Sequence, residues 1–221
     1  MAEEAGRKFD FVLADLGVSS MQIDNPERGF TYKVEGPLDL RLDPTKDVSA
    51  AKRLEGISKE ELQYMLIENS DEPYAYEIAE KIVTGAKRGK KIETTTQLKE
   101  AIEEALMGIR EVAKASEKER KEAVKKSCQR VFQALRIDVN NEYEVLHSLL
   151  EKLPDILNPG GRVAILTFHS GEDRLVKKSF KQWKKEGVYS EVAEEVVRPS
   201  VEECNRNPRA RSTKMLWAVK A

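Results

Sequence analysis

Residues 9–22 read F-D-F-V-L-A-D-L-G-V-S-S-M-Q, and their chemistry begins where an apolar run meets an acid. Phe9, Phe11, Val12, Leu13 and Ala14 give way to Asp15, and Gly17, Ser19 and Ser20 follow. A carboxylate accepts hydrogen bonds and donates none. A glycine two residues on lets a ligand come close to the backbone. Asp15 can therefore hold a ligand's donor groups, or it can simply cap the turn that follows. A second set leaves another apolar run: Thr167, Phe168, His169 and Ser170 follow Val163, Ala164, Ile165 and Leu166. His169 could contact a substrate or take a proton; equally it could be a satisfied structural histidine.

Three further groups carry charge or ring faces. Residues 19–43 hold Arg28, Phe30, Tyr32, Asp39, Arg41 and Asp43. Aromatic and guanidinium groups of this kind stack on an extruded base, while Arg–Asp pairs within a surface loop would account for the same residues. Arg136, Asn140, Asn141 and Glu142 interrupt an apolar helical stripe, so they are either exposed or aimed into a site. Arg206, Arg209 and Arg211 flank Pro208, and guanidinium groups in a loop suit phosphate or guanine contacts as well as a solvated turn. The run K-R-G-K-K at 87–91 has the same two readings.

The elements that must position these groups follow from periodicity. Residues 9–15 and 162–168 are short, apolar and rich in β-formers, which predicts two buried strands. If both lie in a parallel sheet, their carboxyl ends share one border, where ligands of open α/β sheets bind. Residues 19–43 are a long irregular segment with a turn at Asn25–Pro26 and breakers at Gly29, Gly36 and Pro37. Residues 48–126 read as helices. Ser58 and Glu61 suggest a capping box, Asp71 a cap for the next helix, and Thr94 or Thr95 with Gln97 a third start. Residues 128–157 predict one long helix lined by Val131, Leu135, Val139, Val145, Leu149 and Leu153, with Pro154 kinking or ending it. Pro159–Gly161 predicts a turn, and 174–185 a helix with a strongly lysine-rich outer side. Residues 189–197 and 214–220 predict paired strands at the far edge of the sheet. The polar start, residues 1–8, predicts a frayed end.

Composition narrows the function classes. The 221 residues, 40% hydrophobic and 35% charged, suit one core or one core plus a satellite. A net charge of -1 means that any nucleic-acid contact must come from patches. Two histidines exclude a histidine-rich metal site, and we find no metal-ligand set. Cys128 and Cys204, far apart, fit reduced thiols. No signal peptide or membrane-length apolar run is present, so the expected location is the cytoplasm.

Six separated blocks occur in one order: the 9–22 stretch, D-N-P-E-R-G-F at 24–30, G-P-L-D-L-R-L-D at 36–43, F-Q-A-L-R-I-D-V-N-N-E at 132–142, N-P-G-G-R-V-A-I-L-T-F-H-S at 158–170 followed by Glu172, Asp173 and Arg174, and N-P-R-A-R-S-T-K at 207–214. Together they resemble the bacterial MraW-type methyltransferases, which methylate the exocyclic N4 of a cytidine in small-subunit ribosomal RNA with S-adenosylmethionine. The resemblance implies an α/β fold: a partial Rossmann-like class I methyltransferase sheet from residues 1–47 and 127–221, with a small helical substrate-recognition domain inserted at 48–126. It implies that Asp15 and Gln22 contact the cofactor, with Gly17 beside them as the glycine of close approach; Asp15, His169 and Ser170 are the candidates for the chemistry. Arg28, Phe30, Arg41, Arg136, Asn140, Arg206, Arg209 and Arg211 become the RNA-contact candidates. The family usually has leucine where Gly171 stands. Its glycine-rich cofactor loop precedes the first strand found here, and no G-x-G occurs in this chain. The expectation is a chain holding the second half of such an enzyme. Its open first strand would pair with a second copy or a complementing N-terminal half. The alternatives are a non-catalytic RNA-binding or ribosome-assembly module, and a relative acting on another RNA.

Overall fold

The computed structural model describes residues 6–45 and 48–221. Residues 1–5 of the expected frayed start, and residues 46 and 47 at the expected domain boundary, lie outside them. The fold is α/β, with a mixed four-stranded sheet. The chain divides into two compact units, one of Met1–Gly17 with Tyr143–Ala221, the other of Val18–Glu142. It opens with β1 (Phe9–Asp15).

The Val18–Glu142 unit is helical. It runs α1 (Ser20–Asp24), a 3-10 turn at Pro26–Arg28, α2 (Ala50–Gly56), α3 (Lys59–Ser70), α4 (Ala75–Lys87), α5 (Thr95–Met107), α6 (Arg110–Lys114) and α7 (Glu117–Val139). Its core is a continuous set of buried apolar side chains from Leu38 to Val139, including Leu62, Leu66, Ile78, Leu98, Ile102, Leu106 and Leu135. Caps fix the helix starts. Thr94 and Gln97 form a complete capping box at α5, as expected. At α3 only half a box forms: Ser58 accepts from the Glu61 amide, and the Glu61 carboxylate goes to Arg53 instead. Asp71 ends α3 in the left-handed region (φ 52) rather than capping α4, whose N-cap residue Tyr74 makes no side-chain cap bond.

The irregular 19–43 segment is tied down by backbone crossings. Leu38 donates to the Glu93 carbonyl at 2.8 Å and Thr95 donates to the Gly36 carbonyl at 3.0 Å. Gly36 leaves no room for a side chain, because a Cβ would strike the Pro26 carbonyl. The charged stretch 117–126, the least readable part of the sequence, is the first half of α7, started by a Ser116–Glu119 capping box.

The expected single helix at 128–157 is two. α7 ends at Val139, Asn141 takes a left-handed φ of 48, and α8 (Glu142–Ile156) follows. Asparagine tolerates that conformation. The break resets the helical phase. Leu146, Leu150 and Leu153 face the core of the sheet-bearing unit, while Val145, expected inward, is 63% exposed. Pro154 sits within the last turn, and α8 stops two residues later.

The sheet-bearing unit continues with β2 (Leu157–Thr167), α9 (Ser170–Lys185), β3 (Tyr189–Val192), α10 (Val201–Arg206), a 3-10 turn at Pro208–Ser212 and β4 (Lys214–Lys220). The strand order is β1-β2-β4-β3, with β1 parallel to β2 and β4 antiparallel to both of its neighbours. Residues 159–161, expected as a turn, lie inside β2 as a bulge. Phe9 pairs with Leu157 but Phe11 already pairs with Arg162. One sheet face, with Val163, Ile165, Leu216 and Ala218, packs on Leu146, Leu150, Leu153, Val176 and Phe180 of α8 and α9. The other carries Phe9, Phe11 and Leu13, which are 38%, 58% and 58% exposed. Among the described residues, β1 has no strand on its outer side.

Candidate active site

Asp15 pairs in register with Leu166, so the carboxyl ends of β1 and β2 share one border, as the parallel-strand expectation required. The Leu16 amide continues the ladder, donating to the Leu166 carbonyl at 3.2 Å. Gly17 then turns at φ +85, a conformation side chains rarely adopt. A Cβ there would meet only the Phe168 ring, at 3.7 Å, so the glycine serves the turn and leaves its backbone approachable. The Asp15 side chain is exposed, and no described group bonds to it.

Leaving β2, His169 caps α9 through its backbone alone, its side chain making no cap bond. Glu172 turns back from the first helical turn. One carboxylate oxygen accepts from the Phe168 amide at 2.8 Å, and the other lies 3.1 Å from His169 Nε2. That pair is within ion-pair distance but off the direction a hydrogen bond needs, so both imidazole nitrogens are buried without a hydrogen bond. The Glu172 carboxylate is the charge beside this buried imidazole, whose hydrogen-bonding capacity is unmet. Asp173 is also buried, held by Lys177 at 3.0 Å and Lys214 at 3.5 Å. The positive end of α9 favours both acids. The Tyr143 ring tilts against His169 with centroids 6.1 Å apart, and its hydroxyl fills the space a side chain at Gly171 would need. Ser170 is exposed at the helix start.

Most of the other candidates are engaged within their own unit. Gln22 closes a capping box, its side-chain oxygen accepting from the Ser19 amide at 2.8 Å. Arg28 donates to the carbonyls of Arg41 and Leu42 at 2.8 and 2.9 Å and lies over the Phe30 ring at 5.8 Å. Arg41 grips Asp39 with two nitrogens at 2.8 Å, and this holds the Asp39 carboxyl below its ordinary range. Arg136 forks onto Glu142 at 2.7 and 2.9 Å. Asn140 donates to the Leu40 carbonyl at 2.8 Å and accepts from the Leu42 amide at 2.6 Å, bracing Leu40 at φ 64. The Arg–Asp pairing that sequence offered as the plainer reading of this loop is thus present, and Asn140 fastens the loop to the end of α7. Arg206, Arg209 and Arg211 are exposed, Arg206 pairing with Glu202 at 2.6 Å.

Glu172, Asp173 and Tyr143 were not singled out as site residues by sequence reasoning. Two acids in the first turn after a strand's end were the available signal for the first pair. Nothing in the sequence placed Tyr143, which lies 26 positions before His169 in the chain.

The chain matches the MraW methylase family over residues 1–221. It belongs to that family. Its similarity to ribosomal RNA small subunit methyltransferase H 1 of Lachnoclostridium phytofermentans is 67% identity over 221 residues, all of this chain and 58% of the relative. The protein of the same name from Agathobacter rectalis is 60% identical over 221 residues, again all of this chain and 61% of the relative. Ribosomal RNA small subunit methyltransferase H of Pseudothermotoga lettingae is 40% identical over 205 residues, 92% of this chain and 65% of the relative. The chain thus spans less than two thirds of the length of these MraW relatives. Among the described residues, no helix is long and apolar enough to cross a membrane.

Proposed function

We propose that this chain serves S-adenosylmethionine-dependent methylation of the exocyclic N4 of a cytidine in small-subunit ribosomal RNA, in the cytoplasm. The observation that carries the reading is the shared border of β1 and β2, which brings the Asp15 and His169 tips of an MraW-family sheet to one edge. The names of the relatives favour methyl transfer over a non-catalytic RNA-binding module. In this reading the sheet is part of a Rossmann-like class I fold, and the helices at 48–126 are an inserted recognition domain. The basic and aromatic candidates named above, including Arg28, Phe30 and Arg211, serve RNA recognition.

The residues at the border fit the cofactor's needs. Asp15 is exposed and unengaged, and the turn at Gly17 is approachable. Both would hold it, with Gln22 as a further contact. When bound, S-adenosylmethionine supplies an electrophilic methyl group on a sulfonium. An exocyclic amine is a poor nucleophile because its lone pair is delocalised into the ring. Positioning does most of the work. Asp15, with the carbonyls of Leu16 and Gly17, accepts the amine's hydrogens and localises the lone pair. His169 and Ser170 contact the base or receive the released proton, and Glu172 and Tyr143 set the imidazole's place. The open side of β1 takes a further strand, from a second copy or from a complementing N-terminal half.

The test is a calorimetric titration with S-adenosylmethionine and transfer of labelled methyl to small-subunit RNA. Both are run on the chain alone and mixed with the part of the L. phytofermentans relative that it does not span. Transfer to a cytidine N4, abolished by Asp15→Ala, is expected. Full transfer by that variant removes Asp15 from the mechanism.

A further inference from the structure

The outer ridge of α9 is unusually uniform. Arg174, Lys178, Lys181 and Lys185 are four, three and four residues apart, so they fall on one line. That line lies opposite buried Val176 and Phe180, and all four residues are exposed. Lys177 and Lys184 flank it. Among the described residues no carboxylate pairs with Lys178, Lys181, Lys184 or Lys185. Of the acids at the two ends of the helix, Asp173 is held by Lys177 and Lys214, and Glu186 accepts from Gln182 at 3.0 Å. Lysines in a last turn complement the helix dipole. That accounts for Lys184 and Lys185, but not for Lys178 and Lys181 in mid-helix. Like charges three and four residues apart repel and weaken an isolated helix. A chain of net charge -1 that nonetheless concentrates cations on one ridge gains from an anionic partner that lies along it.

We propose that this ridge is a track for the RNA backbone. The proposal rests on the RNA-methylation reading above and extends it. The helix starts at Ser170, next to His169, and the ridge runs away from that point. From Arg174 to Lys185 it covers about 16 Å at about 1.5 Å per residue. That length matches about five phosphates of a stacked strand at about 3.4 Å each. RNA whose target base is held beside His169 extends along α9, its phosphates on the lysines. Lysine contacts of this kind position a strand and read no sequence.

Fluorescence anisotropy with a labelled single-stranded RNA tests it, across salt from about 50 to 200 mM. The wild-type chain is compared with the triple variant Lys178→Gln, Lys181→Gln, Lys185→Gln and with the matching triple of arginines. The glutamine variant should lose about tenfold in affinity, and its slope of log K against log salt should fall by about 2. The arginine variant should keep both. Circular dichroism should show α9 intact in each. Unchanged affinity and slope in the glutamine variant overturn the proposal, as does a wild-type chain that binds no RNA or prefers polyglutamate to RNA. Failure of the methyl-transfer reading looks different: S-adenosylmethionine fails to bind in calorimetry while RNA binding and its salt slope remain.

Discussion

Asp39 shows what a single pairing does to this chain. Arg41 holds its carboxyl below the usual range through hydrogen bonds and charge, against the opposing pull of burial. A depressed carboxyl contributes stability that is present above its unfolded pKa of about 3.9 and lost as pH falls through the folded value. Asp39→Asn should therefore destabilise by about 1 kcal/mol at neutral pH, and the difference from wild type should vanish in strong acid. Chemical denaturation at several pH values measures this. Cys128 gives a second residue-scale expectation. Burial pushes its thiol up to about 12, so it stays protonated and covered near neutrality. Ellman titration of the native chain should find Cys204 alone, and both cysteines after unfolding. A β-carbon at Gly36 has no free volume beside the Pro26 carbonyl, so Gly36→Ala should cost about 2 kcal/mol or more. Sequence marked Gly36 as a breaker of regular structure. It could not mark it as a crossing point, because the Pro26 backbone arrives from ten residues away and only the folded loop brings it there.

At the scale of elements, the first two strands were legible as short apolar runs ending at turn residues, and their parallel pairing was expected; the exposure of β1 and the central place of β4, expected at the far edge, were not legible. The break between α7 and α8 was not legible either: Asn140 and Asn141 interrupt the apolar stripe, but polar residues there read equally as exposed or aimed into a site, and only the left-handed φ at Asn141 separates the two phases. Asn141→Val should cost about 1 to 2 kcal/mol, because a β-branched residue strains there; Asn141→Gly should be nearly neutral. Thermal melts separate the two outcomes. The start of α9 holds a related pair. Gly171 stands where the family resemblance led to an expectation of leucine, and Tyr143 occupies the volume such a side chain would claim. Gly171→Leu should destabilise by about 1 to 3 kcal/mol, and much of that loss should return in the double variant with Tyr143→Ala. Additive losses in the cycle would show that the two do not share space. Of the candidate site, Asp15 and His169 were readable from their places after apolar runs. Glu172's hold on the Phe168 amide was not, since it depends on how α9 begins.

At the scale of the whole molecule, the site depends on a sheet whose first strand lacks a neighbour on one side among the described residues. Phe11 and Leu13 are more than half exposed on it, more apolar surface than an edge strand usually leaves uncovered. Sedimentation velocity should show association that grows with concentration, and Phe11→Lys or Leu13→Lys should reduce it. A concentration-independent monomer would remove the reading of β1 as a pairing edge.

Side chains alternate along a strand, so Phe9, Phe11, Leu13 and Asp15 point the same way. Whatever shields the three apolar side chains from water must also end beside the Asp15 carboxylate. If Asp15 grips the cofactor as proposed, covering that row and binding the cofactor are linked, and a change in one should be felt in equal measure by the other.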